Sequence, residues 1–215
     1  MMAQAQLKIA SQNVDDSAKR RQIIEGARSV FLQQGFDAAS MNDIARGAGV
    51  SKGTLYVYFD TKEQLFQAIV NEECLLQAET TFKLDAADRD IKGTLTRVGA
   101  AFIQFLCSPA KASAMRTVMA IAERMPEIGK LFYETGPAVG IGKLADYLRA
   151  QTEAGLLQVD DFEVAAAQFL DSCKSTLFTP VMFNFRTAPE KETVEYVVGV
   201  AVRTFLRAYG VGARQ

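Results

Sequence analysis

Apolar positions recur at spacings of three and four along nearly the whole chain, and alternating runs are short, which predicts an all-α fold. The first helix is expected over about residues 18–34, with Ile23, Ile24, Ala27, Val30 and Phe31 on one face. Gly35 follows it, where a left-handed residue closes a helix without a Cβ penalty. Ser40 precedes Asp43 by three residues, the spacing of a capping box, and starts a short second helix near Met41. Ile44, Ala45 and Ala48 form its inward face, and Gly49 ends it. Ser51 then caps a third short helix over residues 52–59. Thr61 with Gln64, or Asp60 with Glu63, caps a long fourth helix over residues 62–82, whose apolar face is Leu65, Phe66, Ile69, Val70 and Cys74.

Five more helical patterns follow, at about residues 91–107, 110–124, 127–154, 162–183 and 190–209, giving about nine helices in all. Pro109 and Pro126 fall between patterns, Gly136-Pro137 should kink or split the third, and Pro180 should bend or end the fourth. Residues 1–17 are polar, lack the apolar core of a signal peptide, and are expected to be a flexible lead-in. No stretch approaches the ~18 apolar residues of a membrane span, so none is expected, and the few, widely spaced cysteines fit a reducing, cytoplasmic setting. The break at residues 59–62 separates three small helices from long apolar ones. The expected domains are a flexible segment 1–17, a DNA-binding domain 18–61, and a helical ligand-binding and dimerisation domain 62–215.

Charge sharpens that division. The 24 basic and 25 acidic side chains give a net −1, yet residues 1–62 hold eight basic against six acidic, and the remainder 16 against 19. The basic excess lies with the short helices. The chain has no histidine, which excludes histidine-dependent hydrolases and most catalytic zinc and non-haem iron sites. Cys74, Cys107 and Cys173 are odd in number and far apart, so they are read as buried small hydrophobes rather than a disulfide framework.

Short helix, glycine turn, short helix is the helix-turn-helix arrangement, in which the second helix enters the DNA major groove. Ile44, Ala45, Val50 and Leu55 form the apolar knot that joins the pair. Ser51, Lys52, Thr54, Tyr56, Val57 and Tyr58 are left to face outward, as hydrogen-bonding, stacking and methyl-contacting groups. Lys52 and Lys62 can neutralise phosphates, and the free N–H groups where the helices start at Ser40 and Ser51 can bind phosphate oxygens. Lys19, Arg20 and Arg21 add a basic run on the first helix.

The run from Ser40 to Phe66 closely resembles the DNA-binding signature of TetR/AcrR-type transcriptional regulators. The matching pieces are Ile44-Ala45, Ala48-Gly49-Val50-Ser51, Gly53-Thr54-Leu55-Tyr56, Tyr58-Phe59 and Lys62-Glu63-Gln64-Leu65, with Phe31 and Gly35-Phe36 before them. The resemblance covers about residues 21–70, and the rest of the chain resembles the family's AefR-like branch. It implies a homodimer that binds a palindromic operator, acts as a repressor, and is released by a small-molecule effector. It also implies that Ser40 and Asn42 lie near the DNA backbone, that Ser51 to Thr54 and Tyr56 to Tyr58 form the recognition surface, and that Lys62 contacts a phosphate. Met41 departs from the pattern: many members carry a small hydroxyl residue there, so a hydroxyl hydrogen bond to the backbone is not carried over.

From Thr81 onward the chain is rich in aromatic and methionine side chains. Phe102, Phe105, Met115, Met119, Phe132, Phe169, Lys174 and Phe178 are candidates to line a pocket for a largely apolar ligand. Ala165, Ala166, Ala167, Phe169 and Leu170, with Val194, Val197, Val198, Ala201, Phe205 and Leu206, exceed what one helix face needs and mark an expected dimer surface. The fourth helix is expected to carry a ligand-induced tilt to the recognition helices, which a dimer would hold ~34–36 Å apart. No cofactor or metal is implied, and no Gly-rich phosphate loop or paired-carboxylate motif marks an enzyme. The competing reading is an all-helical small-molecule carrier, which explains the apolar helices but not the Ser40–Leu65 run.

Overall fold

In the computed structural model, which describes residues 2–211, helices α1 (Met2–Gln34), α2 (Met41–Gly47), α3 (Lys52–Tyr58) and α4 (Lys62–Thr81) come first. Then follow α5 (Ile91–Leu106), α6 (Pro109–Ala122), α7 (Pro126–Thr135), α8 (Pro137–Glu153), α9 (Phe162–Lys174), α10 (Phe178–Met182) and α11 (Lys191–Tyr209). Among the described residues the regular structure is helical, apart from an isolated antiparallel bridge between Leu157 and Gly210. The chain divides into two compact units, residues 1–72 and 73–215. The division falls inside α4, later than the residue 61 read from the sequence.

Unit 1 is built around α1. Its helix starts at Met2, ahead of the residue 18 that the periodicity marked. Ile23, Ile24, Ala27, Val30 and Phe31 are all buried, and each large one contributes roughly 1.5–3 kcal/mol on burial. Phe31, Phe36 and Phe66 pack as a triangle with ring centroids 5.1–5.6 Å apart. That triangle explains why the first half of α4 belongs with α1 to α3. Gly26 is required where α1 meets α2: a Cβ there would stand 2.4 Å from the Ala48 Cα.

Unit 2 buries a core drawn mainly from α5, α8, α9 and α11, including Leu95, Ile103, Tyr147, Leu148, Phe169 and Phe205. Pro109, Pro126 and Pro137 are helix starts rather than stops, each the first residue of its helix, where no intrahelical N–H is needed. Gly136-Pro137 divides the third expected pattern into α7 and α8. The 162–183 pattern breaks at Ser175, ahead of Pro180. Pro180 is the third residue of α10, still in the first turn, where its missing N–H costs nothing. Most of the expected dimer face is spent on this core: Ala165, Ala166, Phe169, Leu170, Val194, Val198, Ala201 and Phe205 are buried within the chain itself. No helix among the described residues is long and apolar enough to cross a membrane.

Candidate nucleic-acid interface

The start of α2 is fixed by a reciprocal cap. Ser40 Oγ accepts from the Asp43 N–H at 3.2 Å, and the Ser40 N–H donates back to Asp43 Oδ2 at 3.2 Å. The Ser40 hydroxyl, with help from that N–H and from Arg46, holds the Asp43 carboxyl below the ordinary carboxylate range, against a smaller opposing effect of burial. Arg46 Nη2 lies 2.7 Å from Asp43 Oδ1. Asn42 is exposed beside this cap and Met41 is half-buried. At the other end Gly49 takes φ +64°, the Val50 N–H donates to Ala45 O at 3.0 Å, and Gln22 of α1 donates to Ala48 O at 2.7 Å. Gln22 lies on the outer side of the helix-one pattern, and nothing in its spacing announced this role.

α3 leaves the turn with Leu55 fully buried and its opposite side open. Ser51 Oγ accepts from the Thr54 N–H at 3.0 Å and lies 2.8 Å from Thr54 Oγ1, so both hydroxyls serve the helix start. Ser51, Lys52, Gly53, Tyr56 and Val57 are exposed, Val57 at 80%. The Lys52 ammonium lies 5.8 Å from the centre of the Tyr56 ring. Such exposure of a valine and a tyrosine on a two-turn helix has no packing purpose within the unit. Tyr58 is half-buried, and its hydroxyl donates to Asp16 Oδ1 of α1 at 2.6 Å.

Lys62 is more committed than its expected role requires. Its ammonium donates to Phe36 O at 2.9 Å and to Asp37 O and Ala39 O at 3.1 Å each, and it stands 4.7 Å from the centre of the Phe36 ring. All three N–H bonds therefore close the α1–α2 connection. Lys52 of α3, Arg46 of α2 and Arg20 and Arg21 of α1 are exposed cations of unit 1.

Residues 23–69 match the family described as "Bacterial regulatory proteins, tetR family", and residues 93–211 match the family described as "AefR-like transcriptional repressor, C-terminal domain". The second match covers more than half of the chain. The chain belongs to the TetR family. It is therefore a DNA-binding transcriptional regulator, and members of this family are not enzymes.

TetR-family relatives agree over both units. A solved Mesorhizobium loti MAFF303099 protein assigned to the TetR-family transcriptional regulators is 29% identical, with a TM-score of 0.85, covering 91% of this chain and 98% of that one. The flavonoid-responsive regulator FrrA is 31% identical at a TM-score of 0.77, covering 92% and 100%. Among curated relatives, the transcriptional repressor AcnR of Corynebacterium diphtheriae is 34% identical over 31% of this chain and 35% of its own length. The regulator UidR of Escherichia coli K12 is 43% identical over 25% of this chain and 28% of its own. The chain thus spans about a third of the length of those curated relatives.

The eight residues read as a ligand pocket all lie in unit 2 and differ in burial. Phe169 is core, its ring packed edge-on to Phe205 at 5.6 Å, whereas Met119 is 63% exposed. Phe102, Phe105, Met115, Phe132 and Phe178 are half-buried. Lys174 pairs with Asp171 at 2.6 Å and lies 5.9 Å from the Phe178 ring centre. An open groove of about 450 Å³ lies elsewhere, lined by Glu79, Phe82, Lys83, Leu84, Ala86, Lys143, Asp146 and Tyr147. Of the eight, Phe102 packs against one of its lining residues, its ring 6.1 Å from that of Phe82. Glu79 to Ala86 lie at the end of α4 and in the charged stretch after it, and Lys143, Asp146 and Tyr147 lie on α8.

Proposed function

We propose that the chain is a homodimeric repressor that binds a palindromic operator and leaves it when a small molecule binds unit 2. The observation that carries this reading is α3, which turns Leu55 inward and leaves Lys52, Tyr56 and Val57 in solvent beside the Gly49 turn. Lys52 and the tip of Tyr56 read base edges, Val57 offers methyl contact to thymine, and Ser40 and Asn42 lie at the backbone. Ser51, Gly53, Thr54 and Tyr58 complete the surface, and Lys62 holds the loop before α2.

Three apolar residues left exposed on α9 and α11, namely Val164, Tyr196 and Val200, support pairing of two protomers through these helices. Phe82, Leu84 and Tyr147 beside Lys83 and Lys143 suit an amphipathic aromatic effector, and the flavonoid-responsive relative supports that class. α4 is continuous from Lys62 to Thr81 and so bears both Lys62 and Glu79 of the groove, which supports it as the element a ligand biases. The ligand shifts the equilibrium only by its differential affinity for the two states. The test is operator binding with and without effector: equal binding in both conditions contradicts the switch.

A further inference from the structure

Tyr58 closes the last turn of α3, and its hydroxyl donates to the carboxylate of Asp16, 42 residues earlier in the chain, at 2.6 Å. Asp16 lies one helical turn before Arg20 on α1 and shares its face. Arg20 stands 5.2 Å from the centre of the Phe59 ring, and its Nη1 lies 3.4 Å from Glu72 Oε1. Those two contacts turn this face of α1 toward the C-terminal end of α3 and set Asp16 beside Tyr58.

A carboxylate is the wrong charge for a surface that meets phosphates. Lys19, Arg20 and Arg21 follow it directly in sequence. Lys19 donates to Gln22 at 3.0 Å and Arg20 is committed to Glu72, so these two cations point to other partners. To a phenol donor, a carboxylate oxygen and a phosphodiester oxygen are equivalent acceptors, and Asp16 holds the place a phosphate oxygen would take.

We propose that Asp16 is an internal competitor for a DNA phosphate at the Tyr58 hydroxyl, and that it sets the affinity of unit 1 for the DNA backbone. On binding, the Tyr58 O–H leaves Asp16 for a phosphate oxygen, and the carboxylate returns to water. Until it moves, it also repels the approaching strand. The inference rests on the reading of α3 as the DNA-facing helix.

The test is binding of the full chain to a short duplex of arbitrary sequence at low salt, read by fluorescence anisotropy, with melting curves to verify folding. Asp16 is exposed, so Asp16→Ala and Asp16→Asn fold as the parent does. Asp16→Ala tightens binding about threefold to tenfold, the scale of one exposed charge-assisted contact. Asp16→Asn loses the charge but keeps an acceptor for Tyr58, and gains less. In a Tyr58→Phe background Asp16→Ala gains no more than Asp16→Asn does in the parent. Unchanged or weaker binding by Asp16→Ala overturns the proposal, because Asp16 then positions Tyr58 rather than competing for it. An equal gain with and without the Tyr58 hydroxyl also overturns it, leaving charge alone. Failure of the parent chain to bind any duplex overturns the DNA-facing reading itself, a separate outcome.

Discussion

Lys62 donates to the carbonyl of Phe36 at 2.9 Å and stands over the ring of the same residue at 4.7 Å. One side chain at the start of α4 thus holds the loop that delivers Ser40 to α2. Lys62→Met should lower the stability of unit 1 by about 1–2 kcal/mol, since three carbonyls lose a charged donor in a half-buried place. A direct phosphate contact would also lower the salt slope of DNA binding by about one when removed. A loop-holding lysine leaves that slope unchanged, and measuring log affinity against log salt for both proteins separates the roles.

Gly26 lies where α1 and α2 come closest. Gly26→Ala places a methyl 2.4 Å from the Ala48 backbone, which cannot yield as a side-chain tip does. The helices must separate, at a cost of roughly 1–3 kcal/mol. Melting temperature and DNA affinity should fall together, whereas Gly142→Ala in α8, with open space around it, should leave both unchanged.

Acid should loosen the α2 cap. The Asp43 carboxyl titrates below its unfolded value, chiefly because of the Ser40 hydroxyl. Its stabilisation is present in full above the ordinary carboxylate pKa of about 4 and is lost as pH falls toward the folded value. Asp88 in unit 2 behaves in the same sense, held down first by the Thr94 hydroxyl, then by the Asp90 N–H and Arg97. Asp43→Asn should flatten the pH dependence of melting below pH ~4 and lower the melting temperature at neutral pH by a few degrees. An unchanged acid limb in that variant contradicts the assignment.

The three thiols should be silent in the folded protein. Cys74, Cys107 and Cys173 are buried, and burial raises all three, Cys173 to about 12. The thiolate is the reactive form, so alkylation should be slow under native conditions and rapid in denaturant. Rapid labelling of one cysteine in the folded state would instead mark it as a redox site.

Unit 1 was nearly legible in the sequence because its devices are local. Ser40 with Asp43, Gly49 and Ser51 announce caps and a turn within a few residues, and all form as read. Gly26, Gln22 and Asp16 were not legible, since their partners Ala48 and Tyr58 lie 22 to 42 residues away on other elements. Unit 2 was legible in its periodicity but not in its allocation. Phe169 and Met119 look alike as apolar helix residues, yet one is core and the other is in solvent, because only tertiary packing assigns a helix face. Pro180 misled for a related reason: proline breaks a helix interior and is at home in a first turn, and position alone decides which.

The central claim is that α3 reads DNA as one of a symmetric pair. The most direct measurement is selection of bound duplexes from random sequence by the purified chain, followed by the protomer count on the enriched duplex. The account predicts an inverted repeat with half-sites about one helical turn apart, two protomers bound, and affinity falling steeply with salt. No enriched sequence and no binding at low salt, with small molecules still bound by unit 2, would contradict it and leave a helical carrier.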